Sequence, residues 1–430
     1  VLHTALTITL RSLYRDKRYA LINLAGLSIA IACCLVLALY LRSELTYDQH
    51  NVQYQRIYRV VNEFTINNKL DRFAATSASL GPLLKEQFAD VQAFVRFQSV
   101  GERMIRVGDD AVYWRNAYAV DDIVFDVFTH TVLAGDPKTA LVAPSSVAVS
   151  ESFARRYFGS QSPLGKTLAL DNGEPREVTL EFADLPENSH LQYDLLFSRN
   201  GPAFADPADE NLRRQRLFNI GVSTYVLMPE GYDPRAFDDV SKQFFERNMK
   251  AMGDTINSTW RGWLEPLADV HLRSDLQGDL PSGSLAYLYG FSIVAVFILL
   301  VASINYMNLA TARATKRARE VGLRKVLGAS RSALAAQFLA EAVVLTLVAL
   351  VVGVLLVEVL LRATPIDELF GKPLVLHIAS EPRLLAGALG GAVLVGLLSG
   401  AYPALYLSSI LPAAALVAGG KSSARSIGTR

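Results

Sequence analysis

Cysteine is almost missing from this chain. Of 430 residues only two are cysteine, the adjacent pair Cys33 and Cys34, both inside one apolar run. Everything downstream is therefore without a disulfide. The region from Ser43 to Gly283 has to hold together by its core, which a domain of that size can do. Such a domain fits a bacterial envelope better than a eukaryotic cell surface. Histidine is also sparse: His3, His50, His130, His190, His271 and His377 are scattered and share no metal-ligand spacing. Neither G-x-S-x-G nor H-E-x-x-H occurs. No catalytic residue, metal or cofactor is expected.

A phosphate-binding loop is missing as well. The nearest approach is Gly159-Ser-Gln-Ser-Pro-Leu-Gly165-Lys166-Thr167, in which the first glycine stands one residue too early. A helix-like segment precedes it and a strand-like one follows, the reverse of a phosphate loop. It reads as a turn.

Charge is missing from four long stretches. Leu21 to Leu41, Pro281 to Ala312 and Leu384 to Gly420 carry none, and Ser332 to Leu361 carries only Glu341 and Glu358. A bilayer core of about 30 Å needs about 20 apolar residues in a helix, and all four stretches meet that length. The first exceeds the roughly 7–15 residues of a cleaved signal's apolar region, so it reads as a retained anchor. The expected fold is four transmembrane helices plus an α+β extracytoplasmic domain inserted between the first and second. Spans are expected at 19–41, 284–309, 333–361 and 384–408. A basic, amphipathic segment fills 1–18 and the inserted domain 42–283. Loops follow at 310–332 and 362–383, and a tail at 409–430.

The net charge of +1 hides an asymmetry. From Ser43 to Gly283 there are 24 Lys and Arg against 34 Asp and Glu. Before the first span stand Arg11, Arg15, Lys17 and Arg18, opposed by Asp16. Between the second and third spans stand Arg313, Lys316, Arg317, Arg319, Arg324, Lys325 and Arg331, opposed by Glu320. Short basic loops stay in the cytoplasm. Both termini and 313–331 are therefore expected inside a bacterial cytoplasmic membrane, with the acidic domain outside. An acidic domain disfavours nucleic acid as a partner.

Inside the domain, alternation predicts strands at 56–63, 112–119, 146–150, 176–182 and 223–228. Helices are expected at 79–88, 151–158 and 234–249, the last with Asp233 as cap and Pro234 in the first turn. The polar stretch 199–216 reads as a loop or flexible lobe. Glu358 has Arg362 one turn on and reads as an i,i+4 pair. Glu341, an acid inside a span, either snorkels, bonds across the bundle or marks a pathway. Gly387 with Gly391, and Gly396 with Gly400, form two G-x-x-x-G spacings that allow close packing in a bundle or a dimer.

Residues 305–338 are the most informative. A membrane helix runs into a basic, helix-like segment, and Gly322 and Gly328-Ala329-Ser330 then allow a turn into the third span. Leu323, Val326 and Leu327 make a small apolar ridge. One reading is a docking element for a cytoplasmic partner. The other is a topogenic loop lying on anionic lipid.

The stretch INYMNLATARATKRAREVGLRKVLGASR (304–331) resembles the loop between the second and third spans of MacB/FtsX-type ABC transporter permeases. YDQHNVQYQRIYRV (47–60), LVAPSSVAVSESFARRYFGSQSPLGKTL (141–168) and DLPENSHLQYDLLFS (184–198) are similar to that family's extracytoplasmic core domain, and GAYPALYLSS (400–409) to its last span. The resemblance implies a permease subunit that works with cytoplasmic ABC ATPase subunits, which bind the ATP. It implies a homodimer or a second permease half, since long relatives carry two four-helix units, and a periplasmic adaptor or hydrolase as a further partner. The docking residues would be Arg313, Lys316, Arg317, Arg319, Glu320, Gly322, Leu323, Arg324, Lys325, Val326, Leu327 and Gly328. The work would be export of a peptide, lipid or drug-like substrate by transmitted motion. The alternatives are an envelope-stress or antimicrobial-peptide sensor and a regulator of a cell-wall hydrolase.

Overall fold

The computed structural model describes residues 17–409 apart from 109, 172, 281–282, 367–369, 371–373, 375 and 377–381; for 17–19 and 313–320 the backbone alone is described. Residues 1–16 of the expected segment 1–18, most of the 362–383 loop and the tail beyond 409 lie outside the described residues. The chain forms two compact units, one of Val1–Arg42 with Ala286–Arg430 and one of Ser43–Leu285.

In the first unit, four helices are long and apolar enough to cross a membrane: Lys17–Leu45, Leu285–Val326, Arg331–Ala363 and Pro382–Ser409. Lipid tails are as apolar as leucine, so spans associate by close packing rather than by the hydrophobic effect. Glycine provides that closeness here. A Cβ on Gly396 would lie 2.6 Å from Thr346 Oγ1 and 2.8 Å from Val343 Cα, and one on Gly400 would lie 2.6 Å from Ala342 Cβ. The fourth span thus presses its backbone onto the third. Gly353 of the third span does the same against the first, where a Cβ would meet Ile31 Cγ2 and the Ser28 carbonyl at 3.1 Å. Leu27, Ile31, Leu35, Leu345, Ala349 and Val395 fill the space between. Glu358 pairs with Arg362 one turn along.

The second unit is built on a sheet of fourteen strands. In chain order these are β1 Ile57–Ile66, β2 Lys69–Phe73, β3 Thr76–Ser77, β4 Ala93–Ser99, β5 Arg103–Val107, β6 Asp110–Trp114, β7 Ala117–Val120, β8 Val132–Gly135, β9 Ser146–Ser150, β10 Thr167–Leu170, β11 Pro175–Phe182, β12 Leu195–Ser198, β13 Ile220–Leu227 and β14 Ser258–Pro266. The sheet order is β14-β1-β13-β4-β7-β12-β9-β11-β10-β5-β6. Most neighbours are antiparallel, and β7 with β12 and β9 with β11 are parallel. β1 is buried along most of its length because β13 and β14 flank it.

The strand predicted at 112–119 is two strands. Ala117 N donates to the Arg115 carbonyl, a tight turn, and the Asn116 carbonyl accepts from Asp194 N at 2.9 Å. β6 therefore closes a hairpin with β5, while β7 joins β4 and β12. Helices form at Leu80–Gln87, Glu151–Phe158 and Phe237–Asn248. The last follows a 3₁₀ turn at Pro234–Ala236, capped by Asp233 Oδ1 accepting from Arg235 N at 3.0 Å. Ser150 caps the second by accepting from Phe153 N. That helix ends at Gly159, and β10 begins at Thr167, so 159–167 is a helix-to-strand turn.

The stretch read as a flexible lobe, 199–216, is tied to the sheet. Asp206 lies 2.7 Å from the buried Arg96 guanidinium, which also meets Asp121 at 2.5 Å, and Glu210–Gln215 is helical. A second buried guanidinium, Arg59 on β1, sits 2.6 Å from both Glu265 and Asp279. Two segments distant in sequence also meet. Asp48, with φ of 60°, accepts from Ser189 Oγ and His190 N, each at 3.1 Å, while its own N donates to the Asn188 carbonyl.

Candidate functional site

The apolar part of the second span ends at Ala312, yet the helix continues unbroken to Val326. The expected loop 310–332 is therefore mostly helix. Ala312, Ala314, Lys316, Arg317, Ala318 and Arg319 are strong helix formers and no proline interrupts them. At 1.5 Å per residue the helix runs roughly 63 Å, about twice the apolar core of a bilayer. Its last fourteen residues form a stalk beyond the apolar span.

Gly322, expected at the turn, lies inside this helix and is buried. The turn is made by Gly328 alone, whose φ of 94° is open to glycine and strained for other residues. Ala329 N donates to the Arg324 carbonyl and Gly328 N to the Lys325 carbonyl, each at 3.0 Å. These two bonds make a Schellman cap. Ser330 then caps the third span, its Oγ accepting from Ala333 N at 3.2 Å. The chain reverses in about four residues, with the end of one helix and the start of the next both capped.

One face of the stalk is anchored. Val321 is 2 % exposed and packs with Leu334 and Phe338 of the third span and Ala404 and Leu407 of the fourth. Arg324 Nη1 donates to Gln337 Oε1 at 3.0 Å, and Gln337 Nε2 donates to Glu341 Oε1 at 3.2 Å. Gln337 thus links Glu341 to Arg324 on the stalk. Lys325 Nζ donates to the Ser408 carbonyl at 2.6 Å.

The other face is bare. Leu323, Val326 and Leu327 are 61, 65 and 78 % exposed. Their i, i+3, i+4 spacing sets them in one ridge. Apolar side chains exposed together mark a contact surface. Arg313, Lys316, Arg317, Arg319 and Glu320 lie on the helix backbone just before it, and their side chains fall outside the described residues. Val321, Gln337 and Ser408, which anchor the stalk, were not singled out by the sequence. Their partners lie on other spans, where no local pattern signals them.

The two glycine pairs of the fourth span separate. Gly396 and Gly400 are used up against the third span. Gly387 and Gly391 have nothing within 4 Å of a Cβ position. Among the described residues no group of His, Cys, Asp and Glu could hold a metal.

Residues 20–236, just over half of the chain, match the MacB-like periplasmic core domain, and residues 292–412 match the FtsX-like permease C-terminal domain. The chain belongs to the MacB/FtsX permease family. The second match begins within the second span and includes the stalk, the turn and both later spans. Among curated relatives, the macrolide export ATP-binding/permease protein MacB of Burkholderia pseudomallei is 26% identical over 295 residues, covering 65% of this chain and 37% of its own. The ABC transporter permease YknZ of Bacillus subtilis is 48% identical over 61 residues, covering 14% and 15%. This chain spans about a third of the length of the MacB relatives it matches. The periplasmic region of MacB from Actinobacillus actinomycetemcomitans is a solved structure 16% identical to it, with a TM-score of 0.31, covering 47% of this chain and 87% of that one.

Proposed function

We propose that this chain is the membrane subunit of an ABC-type system, and that the ridge of Leu323, Val326 and Leu327 is the seat of a cytoplasmic ATPase. The observation that carries this reading is the two-sidedness of the stalk. Its bare face offers an apolar contact, while its other face is bonded to the third and fourth spans. A push on the ridge therefore moves the spans with it, rather than bending a loose loop. The stalk belongs to the same unbroken helix that leads into the outer domain at Leu285.

The ATP chemistry then lies in the partner, and this chain converts closure of the ATPases into motion of its outer domain. The basic composition of 313–331 supports a cytoplasmic stalk in an inner membrane. The names of the MacB relatives, which are export proteins, support export as the direction of work. A second copy or second permease half completes the machine, with a periplasmic adaptor as the further partner.

Co-purification of the chain with its ABC ATPase tests the docking claim. Leu327→Asp should insert normally, lose the ATPase and lose stimulated ATP turnover. Normal co-purification and turnover in that variant would remove the ridge from the mechanism.

A further inference from the structure

Two stretches of chain tether the outer domain, one following the first span and one preceding the second. Inside the second unit these tethers meet. His271 Nε2 and Glu44 Oε2 are 3.0 Å apart across 227 residues of sequence, and both residues are buried. The Tyr47 ring stacks on the His271 imidazole, parallel to within 3°. Gly283 N donates to the His271 carbonyl at 2.8 Å. A Cβ on Gly283 would lie 2.5 Å from Glu44 Oε2 and 2.6 Å from His271 Nε2, so the chain passes directly over the pair. Glu44 is the last residue but one of the first helix, and Gly283 stands two residues before the second.

Each tether is also pinned to the body of the domain. On the entering side Asn188 Nδ2 donates to the Thr46 carbonyl at 2.9 Å, and Asp48 N donates to the Asn188 carbonyl at 2.8 Å. On the leaving side Leu267 is buried in the core and Gln277 N donates to the Arg72 carbonyl at 3.0 Å. Arg59 of β1 donates to Ser274 Oγ at 2.8 Å and pairs with Asp279. A polar linker without such bonds behaves as a flexible coil and absorbs a displacement. A buried junction does not, because separating a carboxylate from an imidazole out of water leaves each without its partner.

We propose that the Glu44–His271 pair is a transmission clasp. It binds the end of the entering span's helix to the start of the leaving one, so that motion of the spans reaches the outer domain as one displacement of both tethers. Glu44 and His271 are positioning residues in this scheme: they hold the tethers and touch no substrate. The proposal rests on the ATPase-driven reading for the source of motion and on the pair's own geometry for the coupling. A contact that serves stability alone predicts a lower unfolding midpoint and an unchanged response of the folded protein.

The test is hydrogen–deuterium exchange of the full chain in nanodiscs, alone and with its ABC ATPase. Alone, His271→Ala should speed exchange at 43–48 and at 283–290 together, each about 5-fold or more, as loss of a buried hydrogen bond implies, with β9 and β12 unchanged. A rise in one tether only, or in neither, would overturn the clasp whatever the ATPase does. With the ATPase, the wild-type chain should show an ATP-dependent exchange difference in the outer domain. Glu44→Gln and His271→Ala should keep ATPase binding and ATP turnover and lose most of that difference. Glu44→Gln preserves side-chain size, and tryptophan fluorescence in denaturant checks that the domain is folded. The swapped double variant, Glu44→His with His271→Glu, restores the pair and should regain most of the response. Full response in both single variants, or a swap no better than either, would overturn the proposal. A wild-type chain that binds no ATPase, or shows no ATP-dependent difference, counts against the ATPase reading alone, and the exchange of the two tethers without ATPase then decides the clasp.

Discussion

The Lys325 ammonium donates to the Ser408 carbonyl at 2.6 Å, joining the end of the second span to the end of the fourth across 83 residues of sequence. Ser408 is one residue from the end of its helix, where carbonyls have no intrahelical donor. A cation there also meets the negative end of the helix dipole. The bond thus satisfies a terminal carbonyl and fixes the stalk with one contact. A hydrogen bond to a charged group contributes about 1.5–3 kcal/mol. In Lys325→Met, amide exchange across 321–330 should quicken by roughly tenfold or more, as read by hydrogen–deuterium exchange of the purified chain.

Leu327 is the most exposed member of the ridge. Its replacement should leave the chain's own stability unchanged and act on the partner alone. Anchors at an interface are worth about 2 kcal/mol or more. Leu327→Asp should therefore weaken ATPase affinity about 30-fold or more. A titration in detergent, with size-exclusion behaviour of the chain as control, reads this directly.

The two glycine pairs predict opposite outcomes for one substitution. Gly396→Leu forces a side chain into Val343 and Thr346, and overpacking costs about 1–3 kcal/mol. Gly387→Leu meets open space. The thermal unfolding midpoint should drop clearly for the first and hold for the second.

Arg59 is 1 % exposed and held between Glu265 and Asp279. Removing one member of a buried ion pair costs about 3–5 kcal/mol, because the remaining charge is left unpaired. Arg59→Met should lower the denaturant midpoint of the outer domain accordingly. Trp114, Trp260 and Trp263 are the chain's three tryptophans and all belong to that domain, so their fluorescence reports it selectively.

The same signal should show an acid transition. Burial is the main cause that lowers the His130 pKa to about 4; the hydrogen bond to the Phe128 carbonyl opposes it, and nearby His50 adds a smaller lowering. Burial likewise lowers His50. The folded domain therefore holds these rings neutral while the unfolded chain protonates near pH 6.5. Stability is full above that value and declines as pH falls toward about 4. His130→Gln should be less stable at neutral pH and show a shallower loss between about pH 6.5 and 4.

Much of the architecture was legible from single positions. Three uncharged runs and one with two acids, an acidic insert and basic flanks made the spans and their order legible. Asp233 with Pro234 gave a helix start, and Ser146–Ser150 gave a strand to the residue. Gly322 misled, because glycine is only permissive: it allows a turn and does not demand one. Here the helix formers around it and the packing of Val321 kept the helix going. The strand predicted at 112–119 failed for a related reason, since its alternation continues through a turn that is set by hydrogen bonds from residues 194 and 195.

The sequence by itself determined that this chain crosses a membrane four times and carries a large acidic domain, because both follow from run length and charge along one dimension. It also carried the family's motifs. Only the tertiary structure decided which side of the stalk is anchored and which is bare, and which glycine pair is used and which meets open space. Those properties belong to surfaces meeting across spans, and identical local patterns meet different neighbours. Lys325 and Leu327 look alike as members of one basic, apolar segment; one is bonded to Ser408 and the other faces outward because the third and fourth spans stand on one side of the stalk only.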